Sequence, residues 1–114
     1  MTTKPGFDQY DVVSVPFPYT DRAALERRPA LVVSQPTLEH RFGLLWVLMI
    51  TAAENRSWQN DVPIPDHHGA GLPIPSIIRP TKIATVEASR ARRRGRISQA
   101  TAATVADAIR SIIA

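Results

Sequence analysis

The sequence contains no cysteine, which excludes disulfide bonds, thiolate metal ligands and a cysteine nucleophile. It also contains no glycine-rich phosphate-binding loop and no HExxH metalloprotease motif. No apolar run approaches the roughly 20 residues of a membrane-spanning helix, and no apolar stretch follows the first six residues as it does in a secretory signal peptide. We therefore expect a cytoplasmic protein without a membrane segment, and the motifs indicate no cofactor.

Length and histidine content limit the class of protein further. The chain has 114 residues, of which 44% are hydrophobic and 21% charged, values typical of one globular domain, which we place at residues 1–114. Its three histidines include the adjacent pair His67 and His68 beside Asp66. Adjacent side chains tend to point apart, so we predict a polar loop here and no metal site.

Positive charge is concentrated near the end of the chain. The net charge is +4, and residues 85–97 alone carry five arginines against the single Glu87, which accounts for the whole excess. A localised basic stripe favours contact with a polyanion, because the planar guanidinium suits phosphate and carboxylate groups. The alternative is a solvated basic turn. The five residues are Arg90, Arg92, Arg93, Arg94 and Arg96.

Short extended runs dominate the first three quarters of the chain. Residues 44–51 are predicted to form a central strand buried on both faces, with Trp46 in the core, whereas Pro63 indicates an edge strand. Residues 20–26 and 66–75 are predicted loops. The predicted strands, bounded by proline, glycine or polar residues, are 11–15, 30–34, 44–51, 61–64, 76–79 and 82–86.

The end of the chain has a helical pattern. Ser98 is a suitable N-cap, and apolar residues recur on one face at a spacing of 3.6 residues. These residues are Ala102, Val105, Ile109, Ile112 and Ile113. Many short strands followed by one helix predict a mainly β (α+β) fold, a small antiparallel β-barrel with a C-terminal α-helix closing one side.

An arginine pair precedes the second predicted strand. Pro29 removes a backbone donor and favours extended geometry at Arg28, so we expect the strand to begin at Ala30 with Arg28 at its start. In that position the fold itself aims a fixed positive charge at an anion. The alternative is a solvated pair, Arg27 and Arg28, at the border of an edge strand.

An arginine and a hydroxyl can support metal-free cleavage of RNA, in which the ribose 2′-hydroxyl is the nucleophile. Arg28 would stabilise the charge on the phosphorane oxygens, and Thr51, at the end of the central strand, would hold a phosphate oxygen. A charged arginine is a poor general base. The identity of the base stays open among Asp21, Glu26 and His40.

Several segments, in order along the chain, resemble the PemK/MazF-type toxins. Residues 13–21 and 27–34 resemble the N-terminal signature of that family, and residues 49–51 resemble its strand that ends in a catalytic hydroxyl residue. Its next strand is matched by residues 61–64, its post-loop segment by residues 71–73 with 75–79, and its basic approach to the C-terminal helix by residues 92–98. The sequence departs from the family pattern at Tyr10, Ala23 and Ala52.

The resemblance implies an SH3-like β-barrel toxin of a bacterial type II toxin–antitoxin pair. It implies a homodimeric, metal-independent endoribonuclease that cleaves single-stranded RNA at a short sequence, leaving a 2′,3′-cyclic phosphate and a 5′-hydroxyl. Arg28 and Thr51 match the catalytic positions, and a cognate antitoxin would cover the RNA-binding groove. The same barrel occurs in noncatalytic CcdB-type toxins that inhibit a protein target such as DNA gyrase, which is the alternative function.

Further RNA contacts are expected around the two catalytic candidates. Trp58, in a polar loop, would either stack on a base or lie at a dimer interface. The predicted RNA-binding residues are Asp21, Glu26, Arg27, Arg56, Trp58, Arg79, Lys82, Arg92, Arg93 and Arg94.

Overall fold

The structure, a computed structural model, describes residues 6–16, 26–55 and 58–113. These residues form six strands, two α-helices and a short 3₁₀ turn at Ala88–Arg90. The strands are β1 (Asp11–Pro16), β2 (Arg27–Val32), β3 (Leu44–Ala52), β4 (Val62–Ile64), β5 (Ser76–Glu87) and β6 (Arg92–Arg96), and the helices are α1 (Pro36–Phe42) and α2 (Gln99–Ile113). No described helix is both long and apolar enough to cross a membrane.

The six described strands form one antiparallel sheet in the order β4-β5-β3-β2-β1-β6. Strands β4 and β6 are its two edges, so the sheet is a half-barrel. Pro63 lies in edge strand β4, where its missing backbone donor breaks no ladder on the outer side. The prediction of a mainly β antiparallel fold with a C-terminal helix is confirmed.

Alternation along the strands gives the sheet two buried faces. On the first, which we call the helix face, Leu31 and Leu48 pack with Val105 of α2. Their neighbours Ala30 and Val47 belong to a separate cluster on the opposite face, which we call the second face. The central strands are therefore buried on both sides over most of their length, as the continuous apolar run predicts.

Helix α2 begins where the sequence predicts. The Ser98 hydroxyl oxygen accepts the backbone N–H of Thr101 at 3.1 Å, so Ser98 caps the helix. Val105 is fully buried, whereas Ile112 and Ile113 are exposed. The predicted apolar face therefore packs on the sheet through its first turns and extends past the sheet at its end.

Helix α1 is missed by the sequence patterns above. Pro36 lies in its first turn, and Gly43 ends it with a left-handed φ of 70°. There the Gly43 N–H donates to the Glu39 carbonyl at 2.8 Å. Proline at the start and glycine after the end mark a helix, but α1 has no buried residue and so lacks the apolar stripe that periodicity detects.

The two segments predicted on either side of Pro80 form one continuous strand, β5. Its pairing with β3 shifts abruptly, because Leu48 pairs with Ile83 while the next residue, Met49, pairs with Arg79. The extra residues of β5 form a bulge that includes the proline. A bulge leaves residues out of the ladder, so it tolerates a residue that has no N–H to donate.

Two expectations about strand residues are wrong. Trp46, expected in the core, is 49% exposed, because α2 packs on β4 and β5 near the far end of β3 and leaves this part of the helix face uncovered. Strand β2 begins at Arg27 rather than Ala30. Pro29 does not shift the start of the strand, because it is itself paired with β1 in the ladder.

Strand β6 carries a bulge at Arg94. Residues 12 and 13 of β1 pair with Gly95 and Arg93, which leaves Arg94 outside the ladder. The loop before β5 crosses this bulge at close range, since a Cβ on Gly71 would collide with the Arg94 carbonyl. Gly71 also has a left-handed φ of 80°. The crossing therefore needs glycine for two reasons and fixes the backbone of the bulge.

Replacing Gly71 with alanine should destabilise the fold more than the same change at Gly43. Both glycines have a left-handed φ, which costs alanine about 1 kcal/mol. Gly43 has open space around its Cβ position, whereas Gly71 meets the Arg94 carbonyl, so we expect a loss of about 3 kcal/mol for Gly71→Ala. Urea unfolding of both variants measures the difference, and equal losses would show that the crossing is not tight.

Candidate active site

The register of the sheet brings Arg28 and Thr51 to the same end. Strands β2 and β3 are antiparallel, with Ala30 opposite Met49. Arg28 lies two residues before Ala30 and Thr51 two residues after Met49, so both side chains extend from the second face at adjacent positions. The ladder, which ends at the pair Ala30 and Met49, therefore places the two predicted catalytic residues at the same end of the sheet.

Both residues line a cleft of ≈ 320 Å³ at this end of the sheet. Its floor is apolar and includes Ile50 and Leu72, and its rim is polar. The described lining residues are Arg28, Pro29, Ile50, Thr51, Ala52, Asn55, Leu72, Pro73, Ile74, Ser76 and Arg94. A cleft with an apolar floor and a few converging polar groups is the usual form of a small binding site.

The hydroxyl of Thr51 is oriented by a neighbour. Its Oγ1 accepts a hydrogen bond from Asn55 Nδ2 at 2.6 Å, so its own hydrogen can be donated to a bound anion. The turn that carries Asn55 is tied down by the Asn55 N–H, which donates to the Ala52 carbonyl at 3.1 Å. Sequence reasoning missed Asn55, although an amide four residues after a strand-end hydroxyl was a visible signal.

The guanidinium of Arg28 reaches into solvent at the cleft. Its side chain is 58% exposed and lies 3.6 Å from the Glu26 carboxylate, itself exposed. An exposed ion pair of this length contributes little to stability. Arg28 is therefore positioned by its strand and is able to exchange Glu26 for an incoming phosphate.

The arginines of the basic stripe have different roles in the structure. Arg93 Nη2 lies 2.5 Å from Asp11 Oδ2, and Arg96 Nη1 lies 2.9 Å from Asp11 Oδ1. Asp11 is 2% exposed, so this carboxylate has both charges as partners within the fold. Arg93 also donates to the Gly6 carbonyl at 3.0 Å. Arg93, predicted to bind RNA, is thus committed to a contact between β1 and β6.

Arg94 is the member of the stripe that lines the cleft. The bulge places it there, because a bulge turns one side chain away from the regular alternation of its strand. The Arg94 side chain makes no hydrogen bond or ion pair within the described parts of the chain. Arg28 and Arg94 are thus two cations on one cleft, contributed by different strands.

Arg27 and Arg92 form a separate group at the outer end of β1. Arg27 donates to the Ser14 carbonyl at 2.7 Å and to the Arg90 carbonyl at 2.6 Å. Burial, and after it the nearby charge of Arg92, lowers the pKa of Arg27 from its ordinary value. Arg27 therefore bridges two segments of backbone, and its predicted contact with RNA stays a prediction, as does that of Arg92.

A second polar cluster surrounds Trp58. Arg79 and Asp61 form a buried ion pair, with Nη2 to Oδ2 at 2.9 Å and Nε to Oδ1 at 3.1 Å. The Arg79 guanidinium lies 4.0 Å from the centroid of the Trp58 ring, and Lys82 Nζ lies 5.6 Å from it. Trp58, Arg79 and Lys82, separated by 24 residues of sequence, are thus brought into one patch.

Other predicted candidates lie elsewhere or are not described. Asp21 and Arg56 fall outside the described residues. His40 lies in α1, which precedes β3, whereas Thr51 lies near the end of that nine-residue strand. A strand of this length spans about 20 Å, so His40 lies toward the opposite end of β3 from Thr51, and both His40 and Glu26 stay untested candidates for the base. Within the described ranges, no group of three or more His, Asp or Glu side chains is arranged to hold a metal ion.

Comparison with known proteins identifies a matching family and fold. A sequence profile described as "PemK-like, MazF-like toxin of type II toxin-antitoxin system" matches residues 8–113. A search of curated protein sequences found no match. The fold resembles MazF of Deinococcus radiodurans, at 21% identity and a TM-score of 0.76 over 96% of this chain and 98% of that one.

Two other solved structures resemble the chain to a similar degree. A MazE-MazF structure from Deinococcus radiodurans matches at 20% identity and a TM-score of 0.76, covering 96% of this chain and 97% of that one. The Mycobacterium tuberculosis toxin MazF-mt6 matches at 19% identity and a TM-score of 0.71, covering 89% and 93%. At these identities the likeness shows the fold.

The Asp61–Arg79 pair should make stability depend on acid pH. Burial alone would raise the pKa of Asp61, but hydrogen bonds from Arg79 and the Trp58 backbone, with the Arg79 charge, lower it overall. A carboxylate with a lowered folded-state pKa contributes stability that is complete above its unfolded pKa of about 3.9 and is lost as the pH falls through the folded value. Asp61→Asn should therefore cost about 3 kcal/mol at pH 7, and the gap from wild type should narrow below pH ~4.

Urea unfolding at several pH values measures this gap. Asp107→Asn is the matched control, because Asp107 pairs with Arg110 on the exposed surface of α2 and should change stability little at any pH. A gap at Asp61 that is constant from neutral to acid pH would contradict the assignment.

Proposed function

The chain belongs to the PemK-like, MazF-like toxin family of type II toxin–antitoxin systems, and on that premise we propose that it is a metal-independent endoribonuclease of single-stranded RNA. The observation that carries the proposal is the cleft in which Arg28, Arg94 and the oriented hydroxyl of Thr51 meet. Two cations and a hydroxyl donor at one end of a rigid sheet match the charge and geometry of a phosphodiester.

The proposed reaction uses the substrate's own nucleophile. The 2′-oxygen forms a bond to phosphorus and loses its proton, the bond from phosphorus to the 5′-oxygen breaks, and that oxygen gains a proton. The products are a 2′,3′-cyclic phosphate and a 5′-hydroxyl. Arg28 stabilises the negative charge of the phosphorane, and Thr51 donates its hydroxyl hydrogen to a phosphate oxygen while Asn55 holds it in place.

The proton of the 2′-hydroxyl needs an acceptor, and Glu26 is suited to that role. Its carboxylate lies 3.6 Å from Arg28 and is exposed at the cleft end of β2. When a phosphate displaces it from Arg28, the carboxylate stays within reach of the neighbouring ribose. Asp21 stays an alternative base from the sequence.

We also propose an antitoxin partner, a homodimeric state and a cytoplasmic location. Solved structures of similar fold include a MazE-MazF pair, and the exposed cations of the cleft are suited to an acidic, partly disordered segment of such a partner. Antitoxin and RNA would then compete for one surface. Light scattering measures whether the protein is a dimer in solution. Inhibition of RNA cleavage by polyglutamate tests whether an acidic segment and RNA bind the same surface.

Arg28→Ala and Thr51→Ala should each abolish cleavage of a mixed RNA in EDTA, with a loss of at least 10²-fold in rate, because each removes a group that stabilises the transition state. Arg110→Ala and Thr104→Ala are matched controls on α2, where both side chains are exposed, and should cleave normally. Gel analysis with mapping of the RNA ends measures rate and product chemistry, and circular dichroism confirms the fold of each variant.

Retained cleavage in both folded variants would contradict the proposal. Growth arrest that persists in both variants without RNA cleavage would instead fit the noncatalytic, CcdB-like alternative.

Arg94→Ala should weaken RNA binding more than Arg92→Ala. The two residues carry the same charge and lie two positions apart in β6, but only Arg94 lines the cleft. Loss of one phosphate contact on a single strand should reduce the slope of log K against log[salt] by about 0.7. Fluorescence anisotropy with a labelled oligonucleotide at several salt concentrations measures the slope. Equal slopes for the two variants would show that the stripe acts as a diffuse charge.

A further inference from the structure

Trp58 is a large aromatic residue with one ring face covered and a substantial part of its surface open. The covered face rests on the Arg79 guanidinium at 4.0 Å, yet the residue is 45% exposed. The cleft chemistry described above does not use this ring. An indole held on a cation with its surface open to solvent has the form of a stacking platform.

The platform is held rigidly by Asp61. The Asp61 carboxylate accepts two hydrogen bonds from Arg79 and a third from the Trp58 backbone N–H at 2.7 Å. The Asp61 N–H donates back to the Trp58 carbonyl at 3.1 Å. Asn60, between them, adopts a left-handed φ of 74°, which asparagine tolerates. One carboxylate thus fixes both the backbone of Trp58 and the cation beneath its ring.

The platform lies near Thr51, on the second face, whereas the cleft floor at Ile50 and Leu72 belongs to the helix face. Arg79 pairs with Met49, and Ile77 pairs with Thr51. Residues two apart on a strand point to the same face and are about 7 Å apart. Arg79 therefore shares the second face with Thr51, opposite α2, and carries Trp58 there. Lys82 Nζ, 5.6 Å from the ring, adds positive charge at the same place.

We propose that the exposed part of the Trp58 ring stacks on a nucleobase of the bound RNA, next to the nucleotide that is cleaved. This rests on the proposed function, since it adds a base-binding subsite to the same strand of RNA. Stacking accepts any base, because each has a π face, and by alanine substitution is worth about 1–3 kcal/mol, or roughly 5- to 150-fold in affinity. Arg79 and Asp61 are positioning residues that act through Trp58.

The two tryptophans of the chain allow a direct test. Trp46 lies on the helix face and Trp58 on the second face. A Trp46→Phe variant therefore reports on Trp58 alone, and a Trp58→Phe variant reports on Trp46 alone as the matched control. The probe is a short deoxyoligonucleotide, which has no 2′-hydroxyl and is not cleaved. Its binding is followed by anisotropy of a label at its end.

The expected result is quenching of Trp58 fluorescence that saturates together with the anisotropy, and no quenching of Trp46. Replacing one base of the probe in turn with an abasic site should remove most of the quenching at a single position. Trp58→Ala should raise KM for RNA about tenfold with a smaller change in kcat. Arg79→Lys keeps the charge but loses the planar stack, so it should reduce the amplitude of quenching.

Unchanged Trp58 fluorescence at saturating probe would overturn the proposal. A change that depends on protein concentration without probe would overturn it too, because it would place the ring in a dimer interface. The nuclease proposal is tested separately. RNA cleavage by a protein whose Trp58 is not quenched rejects the subsite alone, and quenching by a protein that cleaves no RNA rejects the nuclease alone.

Discussion

The buried carboxylate of Asp11 is the interaction on which the placement of the basic residues depends. A charge that is 2% exposed is costly unless it is paired and hydrogen-bonded. Arg93 and Arg96 both pair with it, and together they hold edge strand β6 against β1. Arg94 lies in the bulge between Arg93 and Arg96, and its side chain consequently turns to the cleft.

The second constraint is the register of the central strands. Arg28 and Thr51 reach adjacent positions because Ala30 lies opposite Met49, and neither depends on a long loop for its position. Thr51 is further fixed by Asn55. A site whose main groups extend from paired strands is preorganised, which is the condition under which fixed charges stabilise a transition state without reorganisation cost.

Much of this arrangement was predictable from local sequence. The strand-end Thr51, the arginine beside Pro29 and the edge strand marked by Pro63 follow from residue chemistry alone. The helix cap at Ser98 does too. These features depend on one residue and its immediate neighbours, so a single sequence reveals them.

The sequence-based predictions that failed have a common physical origin. Each concerns a residue whose surroundings are set by parts of the chain far away in the sequence. Trp46 is exposed because α2 does not extend over this part of the sheet. Pro80 continues a strand because a bulge against β3 accommodates it. The stripe from Arg90 to Arg96 looks uniform, yet Arg93 and Arg96 both pair with Asp11, 82 and 85 residues away, which a local pattern does not show.

The placement of the arginines also limits which nucleic acid can be the substrate. The cleft has few cations, and its volume of ≈ 320 Å³ is small compared with the space that a duplex occupies. Arg79, which carries the platform at Trp58, lies about 7 Å from Thr51 along the ladder, and the platform can stack only on a base that is out of a helix. A strand that offers a phosphate to Arg28 and Arg94 while it places a base on Trp58 must be unpaired, with its bases splayed. The spacing of the groups, more than the net charge, is what favours single-stranded RNA.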